Sequence, residues 1–127
     1  MSDTYTVVNP ATEQAVADVQ MADLAAVDAA IDRAAAALPA WRAITPGERA
    51  TLLRRFASVV DAHVEELAEL EVRNSGHTWG NAVWEAGNVR DVLNYYSASP
   101  ERLTGHQIPV GGGVDITFHE PLGVVGI

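Results

Sequence analysis

The chain has 127 residues, 48% hydrophobic and 20% charged, enough for one soluble globular domain with a real core. Its 17 Asp and Glu against 8 Lys and Arg give a formal charge of −9, which argues against nucleic-acid backbones and anionic membrane surfaces as partners, since both need clustered positive charge. There is no cysteine, so disulfides, zinc–thiolate sites and thiol nucleophiles are excluded too.

In chain order, Tyr5-Thr6-Val7-Val8 is β-prone, Asn9-Pro10-Ala11-Thr12 carries turn chemistry, and Ala15–Val19 reads as a returning strand. The first expectation is an N-terminal hairpin. Asp23 is placed to cap a helix whose stripe is Leu24, Val27, Ile31, Ala34, Ala35 and Leu38, expected to pack into the core. Pro39 is expected to end that helix, with Trp41 packed beneath it.

Thr45-Pro46-Gly47-Glu48 is the clearest local signal: a capping threonine, proline at the first helical position, and the glutamate that completes a capping box. Leu53, Phe56, Val60, Val64, Leu67 and Leu70 continue an apolar stripe toward Asn74, with a break expected between Asp61 and His63. Gly76 suits a left-handed cap. Glu65, Glu66, Glu69 and Glu71 read as a solvated face. Thr78 is placed to cap a helix over 79–97 with Val83, Ala86, Val89, Leu93 and Tyr96 on one stripe. Gly80 and Gly87 inside it point to close packing against other helices. Pro100 follows as a breaker.

Ile108-Pro109-Val110 and Val114–His119 flank Gly111-Gly112-Gly113, which predicts a second hairpin. The last run, Leu122-Gly123-Val124-Val125-Gly126-Ile127, is apolar and β-branched, as in a strand buried on both faces of a parallel sheet. Such a strand needs parallel neighbours reached through crossovers of about a dozen residues or more. The expectation is therefore the front end of a larger α/β protein, mostly helical over this stretch.

Chemistry is sparse. His63, His77, His106 and His119 lack the spacing of a metal pair. Gly111 to Gly113 have no strand-then-helix setting for a phosphate loop, and no serine sits in a nucleophile elbow. The residues alone predict no catalytic, cofactor-binding or metal site. Met1-Ser2-Asp3-Thr4 has no basic stretch followed by an apolar one, and no run approaches a membrane span, so a cytoplasmic location is expected.

An ordered set of stretches resembles the front of the NAD(P)-dependent aldehyde dehydrogenase superfamily. It comprises Val7–Thr12, the Ala-rich helix leading to Trp41, Pro46–Arg49 through Leu52-Leu53, Glu66-Leu67 through Glu71 to Gly76, Glu85-Ala86, Asn94–Tyr96, Ile108-Pro109 and His119–Ile127. The resemblance implies an α/β parent. Residues 1–104 would form the helical front of the cofactor-binding domain, 105–121 an oligomerisation-arm hairpin, and 122–127 the first strand of a Rossmann-like sheet.

It also implies oxidation of an aldehyde to a carboxylic acid through a cysteine thiohemiacetal, with hydride passing to NAD or NADP. None of that family's catalytic or cofactor-binding motifs falls within these residues, so the isolated chain is expected to be inert. Glu85 resembles an acidic residue that some members place near a structural monovalent cation, beside backbone groups near Val8. The full-length protein would be a homo-oligomer. A rival reading is a small protein that completes or binds a dehydrogenase subunit by β-strand addition; a standalone helical regulator ranks below both.

Overall fold

A computed structural model describes residues 4–127. Met1–Asp3, read above for a leader, lie outside the described residues. Strands β1 (Thr4–Val8) and β2 (Ala15–Gln20) form the expected antiparallel hairpin, with Tyr5 opposite Val19 and an irregularity between Val7 and Val8. Asn9 builds the turn: its Oδ1 accepts from the Ala11 and Thr12 amides at 2.8 and 3.2 Å, the side-chain mimicry of a backbone turn that favours Asn here.

Helix α1 (Leu24–Ala43) begins as expected, with the Ala26 amide donating to Asp23 Oδ1 at 2.8 Å. It does not end at Pro39, which lies inside it. Arg49 supplies a reason for the extra turn. Its Nη2 donates to the Trp41 carbonyl at 3.0 Å, and its guanidinium lies 5.1 Å from the centre of the Trp41 ring. A carbonyl left free at a helix end is thereby satisfied. The expected core stripe of α1 is uncovered: the helix buries no residue, and Leu24 is 84% exposed.

Helix α2 (Pro46–Ala62) opens on the full capping box. The Glu48 amide donates to Thr45 Oγ1 at 3.2 Å, and the Thr45 amide donates to Glu48 Oε2 at 2.8 Å. The backbone and then the side-chain hydrogen bond from Thr45 hold the Glu48 carboxyl below its usual range. A depressed carboxyl stabilises the fold above the pKa of the unfolded chain, and that contribution disappears as pH falls through the folded value. Thr45→Ala is expected to cost about 1 kcal/mol at neutral pH. The gap from wild type should narrow as Glu48 protonates. Urea midpoints across acid pH check both, and a gap independent of pH would contradict the assignment.

The helix breaks at His63, within the expected interval, and α3 (Val64–Ser75) follows. Helix α4 (Trp79–Ser97) starts after Thr78, whose side chain makes no capping bond. Both α2 and α3 pack on α4, and α2 also meets a 3₁₀ turn at Ser99–Glu101 that contains Pro100. The buried residues differ from the expected stripes. They are Ala50, Ala57 and Val60 of α2, Ala68 of α3, and Ala82, Ala86 and Ser97 of α4. Only Val60 and Ala86 belong to the large-residue stripes read from the sequence. Phe56, Leu67, Leu70, Val89 and Tyr96 are exposed. The buried positions are mostly alanines, whereas Gly80 and Gly87 are sites of no close approach: no neighbouring atom comes within 4 Å of a Cβ built on Gly80, and Gly87 meets only the Arg90 guanidinium at 3.7 Å.

Strands β3 (Gln107–Val110) and β4 (Gly113–Ile116) pair antiparallel around a two-residue turn at Gly111 and Gly112. The second strand stops at Ile116, short of the expected His119, although the Thr117 amide still donates to the His106 carbonyl at 3.0 Å. Among the described residues the sheets are these two hairpins, and no parallel sheet forms. Residues 122–127 form no strand; Leu122 is 99% exposed. An apolar run without neighbouring strands has no ladder to join, so its β-propensity goes unused.

Candidate functional site

The corner between α3 and α4 gathers the most chemistry. Helix α3 ends on Gly76, at φ 76°, with its amide donating to the Val72 carbonyl at 3.0 Å. That left-handed turn reverses the chain and sets His77 between the two helices. Glu71 from the last full turn of α3, His77 from the link and Glu85 from α4 each offer a ligand atom, all lying within 4.8 Å of one another. His77 Nδ1 is 3.1 Å from Glu85 Oε2, yet the pair lacks the alignment of a hydrogen bond and Nδ1 is closed to solvent. Ser75 Oγ donates to Glu71 Oε1 at 2.7 Å and to the Glu71 carbonyl at 2.9 Å, which fixes the carboxylate.

Spacing alone did not reveal this group. Its members stand six and eight residues apart across a helix end, and only the Gly76 turn brings them together. Glu71, read as part of a solvated face, is half-buried. Among the other histidines, His63 pairs locally with Glu66 at 2.8 Å. His119 lines a cleft of about 380 Å³ with Trp41, Arg42, Arg49, Leu103, Glu120 and Pro121. His106 caps the base of the second hairpin through its backbone, its amide donating to Thr117 Oγ1 at 2.8 Å.

A separate charged cluster lies further along α4, at Arg90 and Asp91. Arg90 donates to Asp91 at 2.8 Å and to Asp61 at 2.7 Å, joining α2 to α4. The hydrogen bond to Asp91, followed by that to Asp61, raises the Arg90 pKa, and Arg90 lowers that of Asp91 in return. Asp61 and Asp91 are exposed and Arg90 is half-buried, and the three serve as a surface clasp. No assembly of nucleophile, base and orienting group occurs among the described residues, and no helix there is long and apolar enough to cross a membrane.

Comparison with known proteins gives one consistent result. The family model described as "Aldehyde dehydrogenase family" matches residues 1–127. The betaine aldehyde dehydrogenase of Cereibacter sphaeroides is 36% identical over 125 residues, covering 95% of this chain and 26% of that protein. A solved aldehyde dehydrogenase from Bacillus cereus superposes with a TM-score of 0.89 at 31% identity, over 94% of this chain and 25% of that one. An NAD-dependent benzaldehyde dehydrogenase from Corynebacterium glutamicum superposes with a TM-score of 0.81 at 28% identity, over 86% and 24% of the two chains. The chain thus spans about a quarter of the length of the relatives it matches. It belongs to the aldehyde dehydrogenase family.

Proposed function

We propose that this chain serves as the front segment of an NAD(P)-dependent aldehyde dehydrogenase that oxidises an aldehyde to a carboxylic acid, and that the 127 residues by themselves are catalytically inert. The observation that carries this reading is the family match across every residue, joined to a fold that aligns over 94% of its length. In this reading residues 1–104 brace the cofactor domain, 105–121 form the arm that contacts another subunit, and 122–127 enter the main sheet as its first strand. NAD or NADP would be held by the complete protein.

The surface supports the division of labour. Leu24, Trp84, Tyr95, Phe118 and Leu122 are each more than 60% exposed, a load of apolar surface that a free-standing soluble domain normally covers. Inertness follows from chemistry: a thiolate must attack the aldehyde, and these residues include no cysteine.

The test is aldehyde-dependent reduction of NAD⁺ and NADP⁺. The purified 127-residue chain should show none above background, whereas a polypeptide carrying this sequence together with the family's later segments should turn over. Turnover by the 127 residues alone would refute the reading.

A further inference from the structure

We propose that Glu71, His77 and Glu85 form a binding site for one divalent transition-metal cation of the zinc class. Two carboxylates and an imidazole are a donor set that such ions accept; alkali cations take oxygen ligands. The site is distinct in chemistry from a monovalent-cation site built on backbone carbonyls. A tetrahedral ion held at about 2.1 Å from its ligands spreads its donors about 3.4 Å apart. The His77–Glu85 separation of 3.1 Å is close to that spacing, and one ligand atom from each of the three residues lies within 4.8 Å of the others.

Two features beyond proximity support a ligand here. His77 Nδ1 is shut off from water and has no aligned hydrogen-bond partner, a cost that a metal bond removes. Glu71 is already oriented by Ser75 Oγ, the outer-shell hydrogen bond that ligating carboxylates require. The three donors come from the end of α3, the link and α4, so a bound ion would tie the two helices across the Gly76 turn. Coordination leaves a fourth position to water.

The experiment is calorimetric titration of the 127-residue chain with zinc chloride, repeated on His77→Gln and His63→Gln. His63 with Glu66 is the internal control, because that pair supplies two donors instead of three. The expected result is saturable binding of one Zn²⁺ per chain, weakened about tenfold or more in His77→Gln and unchanged in His63→Gln. Zn²⁺ should also shift the His77 ring resonances of the wild-type chain ahead of those of His63, a readout that needs no variant, and raise its melting temperature. Zinc binding of equal strength in His77→Gln, or wild-type His77 resonances that do not move at saturating Zn²⁺, would overturn the proposal. Neither readout depends on dehydrogenase activity.

Discussion

Replacing Ala57 by leucine is expected to destabilise the helical unit by about 1–3 kcal/mol, although leucine is a good helix former and more apolar than alanine. Ala57 is 1% exposed and lies on the seam of α2 that faces α4, with Ala50 a further two turns back at 0%. Helix α4, on which α2 packs, also buries small residues, Ala82 and Ala86. Helices joined through alanine on both sides approach closely, and a larger side chain has nowhere to go without parting them. Ala57→Asp should be worse, because it strands an unpaired carboxylate in the same seam. Ala62→Leu, at the exposed end of the same helix, should stay within about 0.5 kcal/mol of wild type. Urea unfolding reads all three: a lowered midpoint with unchanged slope is expected for Ala57→Leu. A midpoint at or above wild type would show that the seam has slack.

Gly76→Ala carries the second large effect, and it acts through two separate causes. At φ 76° a residue with a Cβ is strained by about 1–2 kcal/mol. The new Cβ would also stand 2.7 Å from Pro10 Cγ, in the turn of the first hairpin, so one of the two must shift. Pro10→Ala in the same chain should remove the collision and leave the backbone strain. The double variant is therefore expected to recover part of the lost stability, with the strain remaining. Full recovery would mean that the backbone conformation costs little; no recovery would mean that the turn and the α3 cap do not touch in solution. Because Gly76 also sets the position of His77, Gly76→Ala should loosen the Glu71–His77–Glu85 corner as well.

Local chemistry was the most legible part of the sequence. The Thr45–Glu48 box, the Asp23 cap, the Asn9 turn, the break near His63 and the Gly76 cap each rest on a few adjacent residues, and each formed where the residue types place it. Pro39 misled because a proline signal is local, whereas the extension of α1 is supported by Arg49 from the next helix. The apolar stripes misled for a related reason. Periodicity says which face of a helix is apolar, but not which part of that face a neighbour in the same chain will cover. Here the buried positions are mostly alanines, and Phe56, Leu67, Leu70, Val89 and Tyr96 of the stripes remain open. The Glu71, His77 and Glu85 group was hidden in sequence because a left-handed turn, not a repeat, assembles it. Leu122–Ile127 has the composition of a buried strand, yet a strand exists only with partners to bond.

These residues are proposed to work as the front of a larger dehydrogenase, and that role has a simple consequence for size. It is tested most directly by the intact mass of the polypeptide bearing this sequence, isolated from the cells that make it. A species several-fold heavier than the 13.5 kDa of these 127 residues is expected, in keeping with relatives of which the chain spans 26%. A stable product at 13.5 kDa would contradict it.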